Sequence, residues 1–325
     1  MLAPDSLGPT LCVGEILVEI VATTIGDGFR EAQPLIGPYP SGAPAIFISQ
    51  CGRLGGRAAM IGAVGSDDFG ALNLERLRSD GVDVSAVSAD PDLPTGSAFV
   101  RYRPNGNRDF VYNIVHSAAA RFVWNDKVAA VVAQAGHLHV MGSALAMAPA
   151  RAIIERAANV IKARGGSISV DPNLRKELQP GAEAEALFSH LVGMSDLLLP
   201  SGDEVFRASG THAASMTEAE AIAVLIERGV TEVVLKRGSA GASAFTPDGA
   251  VHARAFDVAE VDPTGAGDCF GGAYVTCRRL GMGIEQALTY ACAAGARNVQ
   301  VRGPMEGAGS LSQLDHFIAT TGRHA

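Results

Sequence analysis

The chain has 325 residues, 26 basic against 34 acidic side chains for a net charge of −8, and 47% hydrophobic residues; this is the balance of a globular protein with a large core, and without a Lys/Arg cluster it lacks the electrostatic footprint of a nucleic-acid reader. Cys12, Cys51, Cys269, Cys277 and Cys292 form no CxxC pair and are odd in number, which argues against a disulfide framework or zinc knuckle and for a reducing cytoplasm. The first residues carry no basic leader and no apolar run approaches about 18 residues, so neither secretion nor a membrane span is expected.

In chain order, the first distinctive stretch is Gly26 to Pro44, rich in Gly, Pro and Ser, which reads as a functional loop. From Gly96 to Asn113 the pattern is β. Ala98–Arg103 and Arg108–Tyr112 flank the turn Pro104-Asn105-Gly106-Asn107 and predict a hairpin. Side chains alternate along a strand, so Phe99, Arg101 and Arg103 share one face while Ala98, Val100 and Tyr102 share the other. The basic face has two readings, a charged edge protected against pairing or a lid over a polar ligand.

Further along, apolar runs at Leu138–Val140, Ser167–Val170, Asp196–Leu199 and Glu232–Leu235 alternate with helical patterns. One is Ile154, Ala157, Ala158 and Ile161 before the stop at Gly165-Gly166; another is Ile222, Leu225 and Ile226 before Gly229. This alternation predicts an α/β fold with a mostly parallel sheet covered by helices on both faces. No repeat and no long linker interrupts it, so one core with a subdomain is expected. His137 and His139 share a strand face with no third ligand in view and read as packing residues. The only tryptophan, Trp124, reads as an anchor of the core or subdomain edge.

The chemistry concentrates near the carboxy terminus. Phe256–Val261 reads as a strand that runs into the turn Asp262-Pro263-Thr264-Gly265-Ala266-Gly267-Asp268 and then into a helix from Cys269. Gly265 and Gly267 let backbone approach a ligand, and amides at a helix N-terminus suit a phosphate. Asp268, beside them, could take a proton from a hydroxyl as a phosphoryl group arrives. From spacing alone a simple capping arrangement explains the same residues. Neither GxxxxGK[ST] nor a full GxGxxG is present, since Phe270 occupies the third glycine place.

This turn resembles the carboxy-terminal signature of the ribokinase-like (PfkB) carbohydrate kinases. The resemblance continues in Gly14-Glu15, Gly62–Gly70, Asp171-Pro172-Asn173-Leu174-Arg175 and Lys236–Gly241, in order from about Cys12 to Gly303. It implies a three-layer α/β/α core in a single domain over 1–325, with a small β-sheet lid from segments near 15–45 and 95–115. It also implies transfer of the ATP γ-phosphate to a sugar hydroxyl with Mg²⁺. Asp268 would be the base, with the backbone of Gly265, Ala266 and Gly267 holding the phosphate. An Asp at a positive helix end is weakly basic, so it should orient the nucleophile and accept the proton late. Thr264, Lys236, Gly238, Ser239 and Gly241 would line the nucleotide, with Asn298 and Gly303 near the adenine. Glu204, in Ser201-Gly202-Asp203-Glu204, would assist Mg²⁺ through water.

For the sugar, the resemblance points to Glu19 or Asp27, Gly42, Asp171 and Asn173, with Arg101, Arg103 and Arg108 offered by the hairpin. Two places depart from the family: Ser41 and Ile46 stand where Gly and a sugar-touching Asn are usual, and Ser201 replaces another Asn. Tyr112–Ala119 is similar to a segment of 2-keto-3-deoxygluconate kinases, but Asn113 replaces the Arg that holds the substrate carboxylate. A neutral sugar, of the ketohexose kind phosphorylated by tagatose or fructose kinases, is therefore expected. The alternatives are a 2-keto-3-deoxygluconate, nucleoside or phosphosugar kinase, or a sugar-binding regulatory protein without activity. An exposed lid edge makes a homodimer the expected assembly.

Overall fold

A computed structural model describes residues 2–105, 107–173 and 181–323. In chain order its strands are β1 (Thr10–Val13), β2 (Leu17–Ala22), β3 (Leu35–Ser41), β4 (Ala58–Gly65), β5 (Val82–Asp90), β6 (Gly96–Tyr102) and β7 (Arg108–Asn113). They continue as β8 (His137–Met141), β9 (Ser167–Asp171), β10 (Leu197–Leu198), β11 (Glu232–Lys236), β12 (Ala242–Thr246) and β13 (Gly249–Ala253). Nine of them form one sheet in the order β13-β12-β11-β10-β9-β8-β1-β4-β5, and the other four form a second sheet, β3-β2-β6-β7. The large sheet is parallel from β5 to β11, with antiparallel β12 and β13 closing one edge.

Helices cover both faces of the large sheet, which explains why its strands read as nearly continuous apolar runs. Leu11, Val13, Ala59 and Ile61 enter one core with Ile154, Ala157, Ala158 and Ile161 of helix Ala148–Ala163. The alternate residues Cys12, Met60 and Val64 enter the opposite core with Phe47 and Tyr274. His137 and His139 are fully buried, their rings bonded to the hydroxyls of Ser167 and Ser169. His139 also stacks on Phe47 with centroids 3.6 Å apart. Burial holds both imidazoles well below the usual histidine range. Trp124 packs against the first core under the Arg156 guanidinium, 3.7 Å from its ring centre. Among the described residues no helix is long and apolar enough to cross a membrane.

Two expectations are corrected. Gly26–Pro44 is not all loop: Leu35–Ser41 is strand β3, and helix Ala43–Arg53 starts within the stretch. Pro38 and Pro40 concealed it, and they are tolerated because β3 is an edge strand. Phe256–Val261 is not a ladder strand, since only Phe256 makes an isolated bridge, to Arg323. Its backbone is satisfied elsewhere, Asp257 N–H by Gly322 O and the Val261 and Asp262 N–H groups by Val299 O. The predicted hairpin is present as β6–β7, paired from Ser97–Asn113 to Tyr102–Arg108, with Gly106 of its turn outside the described residues.

Candidate active site

The turn singled out in the sequence ends at helix Ala266–Arg279. Gly265 adopts φ +79°, and a Cβ there would lie 2.2 Å from the carbonyl oxygen of Pro304, so both conformation and space require glycine. The loop is braced by its own acid. Asp262 Oδ1 accepts from the Thr264 N–H and Oδ2 from the Gly303 N–H, each at 3.0 Å. Asn298 Nδ2 donates to the Thr264 carbonyl at 2.8 Å from below.

Asp268 lies buried in the first turn of the helix, where unpaired amides give a positive end. Asn173 Nδ2 donates to Asp268 Oδ1 at 3.1 Å. Asn173 reaches it from φ +35°, a left-handed backbone that an L side chain adopts at a cost. Asp171, the last residue of β9, accepts the Asn173 N–H at 3.1 Å and the Lys236 ammonium at 2.5 Å. Burial pulls the Lys236 pKa down, but Asp171, then Glu204 and Asp268, outweigh it and hold the lysine above its ordinary value. Strand ends β9 and β11 and the helix start thus converge at the carboxyl end of the parallel strands, where open α/β sheets bind ligands.

Two cavities meet at this loop. A smaller one of about 40 Å³ is lined by Glu15, Glu19, Gly42, Ile46, Ser143 and Asp268, with Phe110 and Tyr112 of the small sheet. A larger one of about 430 Å³ is lined by Lys236, Gly238, Ser239 and Gly241 and by Pro263, Ala266 and Gly267. Phe256, Val258, Ala296 and Val299 add apolar side chains to its lining.

The sequence model of the pfkB family carbohydrate kinases matches residues 10–309. The chain belongs to this family. A 2-dehydro-3-deoxygluconokinase from Thermoproteus tenax is 32% identical over 95% of this chain and 93% of its own, and fructokinase-1 from Oryza sativa subsp. japonica is 30% identical over 89% and 91%. Among solved structures, a candidate ribokinase II from E.coli is 43% identical with a TM-score of 0.90 over 96% of this chain and 99% of its own. The same protein in complex with ATP and Mg²⁺ has a TM-score of 0.88. The fold is accordingly the ribokinase-like α/β/α arrangement with a second, small sheet.

Within this pfkB framework the residues expected from the sequence divide. Asp268, Glu19, Gly42 and Thr264 line the smaller cavity, and Lys236, Gly238, Ser239, Gly241, Ala266 and Gly267 line the larger. Asp171 and Asn173 reach the site through Lys236 and Asp268, while Leu174 and Arg175 of the same motif lie outside the described residues. Glu204 accepts the Ser201 N–H at 2.8 Å, and Ser201 lines the larger cavity.

Other residues stand elsewhere. Arg101 is buried on the far face of β6, where it bonds the Thr24 and Gly28 carbonyls and Glu31. Arg103 pairs with Asp109 and with Asp27, which is exposed. The basic face of the hairpin therefore fastens its own loop, and only Arg108 turns toward the site, donating to Thr264 Oγ1 at 3.1 Å. Asn298 and Gly303, expected beside the adenine, bond to Thr264 and Asp262 and so brace the loop. Sequence reasoning did not single out Glu15, Phe110, Tyr112 or Tyr102 as site residues. The alternation of β6 had already placed Tyr102 opposite the arginines, but nothing in the sequence says which face looks inward.

Proposed function

We propose that this pfkB kinase transfers the γ-phosphoryl group of ATP to a hydroxyl of a small neutral sugar, a ketohexose of the fructose or tagatose type. One observation carries the reading: the smaller cavity ends on Asp268 and the larger on Ala266 and Gly267, adjacent residues of one helix start. A sugar hydroxyl in the first and a nucleotide phosphate in the second would face each other across that point. The fructokinase relatives and Asn113, in place of a carboxylate-gripping Arg, support the neutral ketohexose. Glu15 and Glu19 supply acceptors for hydroxyl groups, and Ile46 supplies an apolar wall.

In this reading the Ala266 and Gly267 amides and the helix dipole stabilise charge on the transferring group, the larger share of the rate gain. Lys236, kept charged by Asp171, lies beside Gly267 and adds to that field. Asn173 donates to Asp268 and fixes its carboxylate, which would orient the sugar hydroxyl and accept its proton as charge shifts away. Mg²⁺ neutralises phosphate charge when bound. Phosphates and water would hold the ion, with help from Glu204, which accepts the N–H of Ser201 on the larger cavity. Closing the small sheet, built from segments near 15–45 and 95–115, as a lid on a single domain would exclude water. Exposed Val111, Leu35 and Ile36 on that sheet support a homodimer through it, and five buried free thiols support a reducing cytoplasm.

The test is ATP consumption over a panel of ketohexoses, aldoses, 2-keto-3-deoxygluconate, nucleosides and phosphosugars, with wild type beside Asp268→Asn. Turnover on a ketohexose that collapses in the variant supports the proposal. Turnover only on an acid or phosphorylated sugar overturns the substrate, and a sugar that raises the melting temperature without turnover overturns the activity.

A further inference from the structure

The small sheet touches the phosphate-side loop through three side chains, none of which touches a reacting atom. Tyr102 Oη, at the end of β6, donates to Asp262 Oδ1 at 2.5 Å and lies 3.1 Å from Thr264 Oγ1. Its cross-strand partner Arg108 donates to that same hydroxyl. Tyr39 of β3 packs on Gly303, where an added Cβ would stand 2.7 Å from the ring. These contacts converge on Asp262, whose two oxygens already hold the Thr264 and Gly303 amides. Burial and then the Asp262 carboxylate push the Tyr102 phenol above its ordinary value, so it stays a donor at neutral pH.

The same sheet forms the roof of the sugar-side cavity through Ala98, Phe110 and Tyr112. One rigid element therefore faces the acceptor with part of its inner surface and grips the loop that carries Gly265 and Gly267 with another. We infer that Tyr102 is a positioning residue: its phenol ties the sugar-side wall to the phosphate loop, so that a bound sugar sets the loop and tightens nucleotide binding. The inference rests on the kinase reading above. Linkage requires the effect to be mutual, with nucleotide tightening sugar by the same factor.

Tyr102→Phe deletes one hydroxyl and keeps the ring. In the ligand-free protein, amide exchange at Thr264 and Gly303 should quicken in this variant while the β8 and β9 amides are unchanged. Calorimetry with a non-hydrolysable ATP analogue, with and without the sugar that the panel identifies, should show wild-type affinity for the analogue alone and loss of a sugar-induced tightening of about tenfold. Thr264→Ala, which removes the shared hydroxyl from the other side, should lose part of it. A wild type without coupling, or a variant with full coupling and unchanged exchange, overturns the inference. If the wild type phosphorylates no sugar, the kinase reading falls instead, and faster exchange in Tyr102→Phe still supports the tie between wall and loop.

Discussion

The two cavities are built in opposite ways. The larger draws residues from two short stretches, Lys236–Gly241 and Pro263–Gly267, rich in glycine, whose backbone can approach a ligand closely. The smaller gathers Glu15 and Glu19, Gly42 and Ile46, Phe110 and Tyr112, Ser143 and Asp268 from distant parts of the chain and presents side chains. A backbone site constrains the sequence to glycines at fixed spacing and leaves a motif. A side-chain site constrains only which face of a strand looks inward, so it is hard to read, and single substitutions can change its ligand.

Asp268→Asn strikes where the cavities meet and should have the largest effect on activity: kcat lower by about 10² to 10⁴ with both ligands still bound, as steady-state kinetics and calorimetry would show. Survival of normal turnover would separate the chemistry from this junction. Lys236→Ala acts from the wall of the larger cavity. It leaves the buried Asp171 carboxylate without its ammonium, and denaturant unfolding should register a loss of about 3 to 5 kcal/mol. Exchanging both partners as Lys236→Met with Asp171→Asn should recover much of that.

Acid should act on the frame beneath both cavities. His137 and His139 have lowered pKa values in the fold, so the unfolded chain binds their protons first. Their contribution is complete above the unfolded value near 6.5 and is lost as pH falls below it, by up to about 1.4 kcal/mol per pH unit for each ring. Melting temperatures measured from pH 8 to 5 should bend downward near 6.5. The smallest effect belongs to Glu19→Gln on the sugar side, which should raise the sugar KM by about tenfold and leave the KM for ATP alone. A matching change in both would mean that the two cavities are less separate than their construction implies.

The large sheet was legible because burial on both faces forces apolar strands, as in Leu138–Val140 and Glu232–Leu235. The phosphate loop was legible because Gly265 admits no other residue. Strand β3 was hidden because edge position, which excuses Pro38 and Pro40, is a property of the sheet and not of the segment. Phe256–Val261 has strand-like residues but no neighbouring strand to pair with, and pairing decides. The arginines of β6 attracted attention by their charge, yet the working face was the quieter one with Ala98 and Tyr102. Resemblance identified Asn298 and Gly303 as residues of interest, but only their hydrogen bonds reveal that they brace a loop.

The small sheet consists of two hairpins, β2–β3 and β6–β7, joined along a parallel seam in which Leu17 faces Gly96. Between them the chain returns to the large sheet for β4 and β5. The seam joins segments separated by that excursion, so it is a long-range contact that carries a loop-closure cost. Each hairpin alone is marginal in water. Thr95, just before β6, is fixed to the Asp67 carboxylate and to the Gly65 N–H at the end of β4, which gives the hairpin a fixed point to swing from. The roof of the smaller cavity thus hangs on the core from this point, and amide exchange faster in β6 and β7 than in β8 and β9 would show it opening while the core stays folded.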